Sequence, residues 1–295
     1  MRTAYDRHDL EWRRVLEDPE RRRVGESWFA EDTLDAWRHR RMRSLLQPLI
    51  ASGLHKSWIT IGDGRFGTDA HYLMAAGVRD VTATDLFDDL LRIGAERGFI
   101  GKFAAQNAEA LSFPDESFDL VYCKESYHHL PRPYLALYEM LRVCREAVVL
   151  TEPNDPAARR GRLFTALKRL LGRPTDGHSF ESVGNYIYYV CEREIEKVML
   201  GVGLRHCAFA YMNDCYIEGV EFVPASGGTP KERLVRAKLK GLVAARNVLC
   251  KLNLRPPDIV TAVLFKRVPE PSMLDAMRVA GFAVKELPRN PYLKT

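Results

Sequence analysis

The sequence predicts an α/β protein with a Rossmann-like, doubly wound sheet, mostly parallel with an antiparallel last strand. Three observations carry this. Short apolar runs alternate with amphipathic segments from residue 57 to 152, the pattern of parallel strands joined by crossover helices. A glycine-rich stretch directly follows the first run and opens the next helix. An acid, Asp85, closes the second run, 23 residues after the first glycine.

The elements follow in order. Residues 1–56 read as a helical extension, in which Leu34, Trp37, Met42, Leu45 and Leu46 fall near helical spacing and Thr33 offers a cap. Strands are expected at 57–62, 81–85, 102–106, 118–123 and 146–152, with helices at 68–77, 86–97 and 133–144 between them. Beyond 152 the alternation fails. Residues 153–190, rich in Arg, Gly and aromatics, read as an inserted lid or substrate segment. A helix at 192–200, a strand at 204–212, a basic helix at 230–252 and a last strand at 258–267 follow. The core domain is thus 57–267, with 153–190 and 213–256 as insertions and 268–295 as a proline-containing tail packed on the surface.

Composition narrows the class. The chain has 295 residues, 46% hydrophobic and 28% charged, as a soluble globular protein does. No apolar run approaches the roughly 20 residues that cross a bilayer, and Met1 to Arg14 lacks an apolar signal core. The cytoplasm is the expected location. The six cysteines form no C-x-x-C pair and read as reduced core residues. The net charge is +5, but residues 1–43 balance 11 Arg against 10 acids, which argues against a nucleic-acid arm. Residues 156–175 and 231–251 are one-sidedly basic. They suit a phosphorylated acceptor, an anionic membrane surface or simply a solvated face.

The first chemical motif is Gly62-Asp63-Gly64-Arg65-Phe66-Gly67. Its glycines let the backbone turn tightly and approach a ligand. Asp85 can accept hydrogen bonds from both ribose hydroxyls of an adenosine ligand. Further along stand Asn107-Ala108-Glu109, Leu111-Ser112-Phe113-Pro114 and Ser117-Phe118-Asp119-Leu120-Val121, then Tyr127-His128-His129-Leu130-Pro131 and Glu139-Met140-Leu141-Arg142-Val143. On these residues the chain resembles the class I methyltransferases that use S-adenosylmethionine (SAM), in particular the type-11 group. The resemblance covers 57–152 well and the rest weakly. It implies that Asn107 and the Ala108 backbone read the adenine, that Asp85 holds the ribose, and that Gly62, Asp63, Gly64 and Lys124 border the methionine part. Two positions depart from the pattern: Thr60 stands where an acid is usual, and Phe66 where a third glycine is usual.

The loop after the fourth strand borders the methyl group in the family. His128, then His129, are the candidate bases, because an imidazole titrates near neutral pH. Glu125 joins them as a catalytic candidate. Tyr127, Glu152, Asn154 and Tyr186 are the candidate substrate contacts. No metal is assigned, although Glu152, Asn154 and Asp155 with His128 offer Mg²⁺ a hard-ligand alternative. The leading reading is O-methylation of a polar small molecule such as a sugar or glycan precursor. N-methylation of an amino sugar or small amine, an NAD-dependent oxidoreductase, and a SAM-binding partner subunit are the competitors.

Overall fold

A computed structural model describes residues 2–156, 179–180 and 185–292. Residues 157–178 and 181–184, which hold most of the expected lid and of the first basic stretch, lie outside the described residues.

Eight strands form one sheet: β1 (Ser57–Ile61), β2 (Asp80–Asp85), β3 (Lys102–Ala105), β4 (Phe118–Lys124), β5 (Cys144–Pro153), β6 (His206–Met212), β7 (Ile259–Phe265) and β8 (Ala283–Glu286). Their order is β3-β2-β1-β4-β5-β7-β6-β8. The five strands β1 to β5 pair in parallel, and β7 runs antiparallel between β5 and β6. The order reverses at β1, between β2 and β4, so a crevice opens at the carboxyl ends of these strands.

The helices are α1 (Arg2–Glu17), α2 (Pro19–Ser27), α3 (Leu34–Arg43), α4 (Gln47–Ala51), α5 (Thr68–Ala75), α6 (Asp89–Glu96), α7 (Pro133–Val143), α8 (Glu192–Gly201), α9 (Pro230–Lys251) and α10 (Pro271–Val279). Strand alternation feeds two cores, one on each face of the sheet. On β4, Leu120 and Tyr122 face α4, α5 and α10, while Val121 and Cys123 face α7 and α8. Trp58, Ile59 and Leu137 are fully buried, and each such side chain contributes about 1.5–3 kcal/mol.

Thr33 caps α3 as its sequence position predicts, accepting from the Ala36 N–H at 3.0 Å. The α3 helix reaches the carboxyl end of the sheet through Arg43, which bonds Asp69, and His39, which meets Glu125. Its Leu34 shares a satellite core with Cys215, Val220, Leu239 and Val243, which ties the N-terminal extension to the 213–256 insertion. The basic helix is α9, started by a capping box of Thr229 and Glu232.

The tail departs from expectation. The strand at 258–267 is not the last: the tail forms α10 and then β8, which pairs antiparallel with β6 over His206–Phe209. Its prolines do not prevent this. Pro271 occupies the first turn of α10, where a missing N–H costs nothing, and Pro288 follows the end of β8. The end of the expected insertion, Phe180 to Val190, makes only isolated bridges among its described residues: Phe180 with Tyr186, and Val190 with Asn154.

Among the described residues no helix is long and apolar enough to cross a membrane.

Candidate active site

A cavity of about 460 Å³ opens at the carboxyl ends of β1, β2 and β4. It is walled by the glycine loop, Asp85, Asn107, Ala108, Lys124 to Ser126 and His128 to Pro131, and it is roofed by Tyr5, Val15 and Arg21 from the N-terminal helices.

The glycine loop is shaped by close approach. Gly62 has φ +71°, and a Cβ there would lie 1.7 Å from the Ser126 hydroxyl oxygen. No side chain fits, so β1 and β4 loops meet backbone to side chain. Gly67, at φ +80°, precedes the first turn of α5. Phe66 sits at φ +56°, a left-handed conformation that costs a non-glycine residue about 1–2 kcal/mol. Its ring is buried against Val15 and Leu90 and packs 4.6 Å from Phe29. The residue that departs from the glycine pattern therefore anchors the N-terminal helices onto the loop.

Asp63 is turned inward. Its carboxylate accepts from the Thr60 hydroxyl at 2.9 Å and from the Asp69 and Ala70 N–H groups at 3.0 and 2.9 Å, capping α5. Burial and the neighbouring Asp69 push its carboxyl up. Asp85 is buried at the end of β2 and accepts from the Phe87 N–H at 3.4 Å. Burial, opposed by backbone N–H groups, pushes it up to about 6.

At the far end of the cavity Asn107 accepts from the Glu109 N–H at 2.9 Å, which fixes the turn after β3. Glu109 is not solvated. Its carboxylate accepts from the Arg132 backbone at 2.7 Å, from Arg132 Nε at 2.6 Å and from the Tyr5 hydroxyl at 2.6 Å. One carboxylate thus joins β3, the histidine loop and α1.

The β4 loop carries the charge. Glu125 has φ +48° and a side chain 27% exposed. Lys124, only 4% exposed, lies 3.5 Å from Asp69 and 3.4 Å from Glu125. Desolvation works against the Glu125 anion, but Lys124 and His39 outweigh it and hold the carboxyl well below its usual range. Such a group is a poor proton acceptor at neutral pH, so its physics suits holding a cation better than the catalytic role expected of it. Lys124 likewise serves a buried ion-pair network that includes Asp69 and Arg43, the latter pair at 2.6 Å.

His128 is buried, and its Nδ1 lies 2.6 Å from Glu152 Oε2. The other Glu152 oxygen accepts from the Ser126 and Tyr127 N–H groups, each at 3.0 Å. Facing a carboxylate, Nδ1 carries the proton, which leaves the lone pair of the neutral ring on Nε2. The His129 ring tilts against His128, with centroids 3.9 Å apart.

Among the candidate substrate contacts, Tyr127 packs into the core beside Cys123 and Leu137, because its turn directs the ring under α7. Glu152 is fully buried behind His128 and acts through it. Asn154 is buried, with its side-chain amide donating to the Pro257 carbonyl at 3.0 Å. Tyr186 packs edge-on against Phe180 and Tyr188. None of the four lies on the cavity wall among the described residues. No group of three or more His, Cys, Asp or Glu is placed to hold a metal among these residues.

Sequence reasoning missed Tyr5, Asp35, His39 and Arg65. Three of them lie outside the motif segment, and their only signal was the charge density of the first 43 residues.

Residues 59–150 match the family model described as a methyltransferase domain. The ubiquinone/menaquinone biosynthesis C-methyltransferase UbiE of Methylobacterium nodulans is 31% identical over 127 residues, covering 35% of this chain and 50% of that protein. The demethylmenaquinone methyltransferase of Renibacterium salmoninarum is 32% identical over 127 residues, covering 42% and 53%. The chain thus spans about half the length of the curated relatives it matches. The solved YcgJ protein of Bacillus subtilis aligns with a TM-score of 0.48 at 18% identity, covering 77% of this chain and 99% of that one. Over residues 59–150 the chain is thus similar to methyltransferase domains, as its motif residues led one to expect.

Proposed function

We propose that the protein is a SAM-dependent methyltransferase acting on a hydroxyl-bearing small molecule, with a sugar or glycan precursor as the acceptor class. The cavity fits the cofactor because the glycine loop lines it and Asp85 presents a buried carboxylate to the same wall. When bound, SAM supplies an activated methyl group on its sulfonium sulfur. Asp85 would hold the ribose hydroxyls, and Asn107 with Ala108 the adenine.

The observation that carries the reading is the His128–Glu152 pair at the rim of that cavity. A hydroxyl is a weak nucleophile until its proton leaves. His128 Nε2 takes that proton, and Glu152 stabilises the imidazolium that results.

Calorimetry with SAM and NAD, each added alone, tests the cofactor. Binding of SAM with micromolar affinity and none of NAD is expected, and the reverse would overturn the reading. The name of one curated relative, a C-methyltransferase, favours a second acceptor chemistry, methyl transfer to carbon. Carbon-13 NMR of product made from methyl-labelled SAM separates an O-methyl from a C-methyl signal.

A further inference from the structure

The cavity presents two charges of opposite sign near one end, and one histidine outside the motif segment bridges them. Arg65 lies in the glycine loop, with its side chain 38% exposed. Glu125 lies in the β4 loop, with its side chain 27% exposed. The other ions of this cluster that reach the wall, Lys124 and Asp69, are 4% and 7% exposed and satisfy each other and Arg43. His39, on α3, stands behind the pair. Its Nδ1 is 3.1 Å from Glu125 Oε2, and its Nε2 is 2.8 Å from Arg65 Nη1. A guanidinium can only donate, so Nε2 accepts from Arg65 and Nδ1–H donates to Glu125. Asp35, one turn earlier on α3, adds a second hold on Arg65 at 3.3 Å.

Such a pair matches a zwitterion. An α-amino acid carries an ammonium and a carboxylate on one carbon, and it needs one anion and one cation held at a fixed separation. Thr60, where the motif pattern would place an acid, is buried and donates its hydroxyl to Asp63. Asp63 is itself spent on the start of α5. Glu125 is the carboxylate left facing the cavity at this end. It also sits on the opposite side of β1 from Asp85, two strand spacings or about 10 Å away. A ligand with a sugar at one end and an amino acid at the other spans that arrangement.

We propose that Glu125 and Arg65 form the clamp for the amino-acid end of the cofactor, Glu125 receiving the ammonium and Arg65 the carboxylate, with His39 of α3 as the residue that positions both. The inference rests on the SAM reading above. It makes the N-terminal extension part of the cofactor site, although that extension lies outside the matched family segment.

The test compares two ligands by calorimetry on the full chain. S-adenosylhomocysteine carries the amino-acid end, and 5′-methylthioadenosine lacks it. Wild-type protein should prefer the first by about tenfold or more, as charge-assisted contacts warrant. Glu125→Gln and Arg65→Met should each erase most of that preference and leave methylthioadenosine affinity within about twofold, since neither residue touches the nucleoside. His39→Ala should narrow the same preference without weakening methylthioadenosine; a merely structural role would weaken both ligands in parallel. A preference that survives in both Glu125→Gln and Arg65→Met, with thermal melts showing folded protein, overturns the clamp. Wild-type protein that binds neither ligand overturns the SAM reading itself.

Discussion

Glu152 Oε2 lies 2.6 Å from His128 Nδ1, and it is the full burial of Glu152 that gives this contact its consequence. The carboxylate is shielded from solvent, and its other oxygen is already fixed by two backbone N–H groups. The imidazole is therefore held in one orientation and one tautomer, with its accepting nitrogen turned away from Glu152.

Glu152→Gln tests that arrangement. The amide oxygen can still accept from Ser126 and Tyr127, but its NH₂ group then faces Nδ1 and forces the proton onto Nε2. We expect the turnover rate to fall by about 10²–10⁴, as in other cases where a base is locked in the wrong tautomer. SAM affinity should hardly change. His128→Ala should give a similar loss. Normal turnover in either variant, measured under saturating acceptor, removes His128 as the base.

Asp85 carries a cost that its role explains. Burial raises its carboxyl to about 6, from an unfolded value near ~3.9. The folded chain therefore holds this proton more tightly than the unfolded chain. The stability that it contributes is present in full below the unfolded value and is lost as pH rises through about 6. At neutral pH the ligand-free protein carries a buried anion. Asp85→Asn should therefore stabilise the ligand-free protein at pH 7.5 by on the order of 1–3 kcal/mol, and by much less near pH 4. The same change should weaken SAM binding by about 1.5–3 kcal/mol, through loss of a charged acceptor. Wild-type SAM affinity should fall as pH drops through about 6, and the variant should not share that dependence. Urea melts and calorimetry at the two pH values check both signs; an unchanged melt at pH 7.5 would show that Asp85 is not desolvated as described.

Phe66 sets two effects against each other. Phe66→Gly relieves a left-handed backbone worth about 1–2 kcal/mol. It also empties a ring site among Val15, Leu90 and Phe29, and a buried Phe deletion costs about 3–5 kcal/mol. The packing loss wins, so the variant should be less stable by about 1–4 kcal/mol despite restoring the family's glycine. Proteolysis should then reach α1 and α2 first. A variant as stable as wild type would mean that the N-terminal helices do not depend on this ring.

Much of the site was legible because its parts are local. Gly62, Asp85, Asn107 and Ala108 each stand just after a strand whose apolar run announces it, and parallel strands bring their carboxyl ends together whatever the side chains are. That ordering placed the glycine loop and the histidine loop on one cavity before any geometry was known. The last strand was expected to be antiparallel, and β7 does run antiparallel to β5 and β6. The tail was misread because periodicity over four residues, as in Ala283–Glu286, is too short to signal a strand, and its prolines drew attention to the surface instead.

The sequence by itself determined the parallel sheet and the loops that line the cavity at its carboxyl end, because hydrophobic periodicity and glycine punctuation act over a few neighbouring residues. The tertiary structure alone decided which charges face the cavity. Tyr5 meets Glu109 across 104 positions, Arg43 meets Asp69 across 26, and His39 reaches the β4 loop at Glu125 from α3. Whether a carboxylate is a base, a clamp or a helix cap depends on its burial and on the nearest cation. Those are set by how distant segments pack, and no local pattern in the chain encodes them.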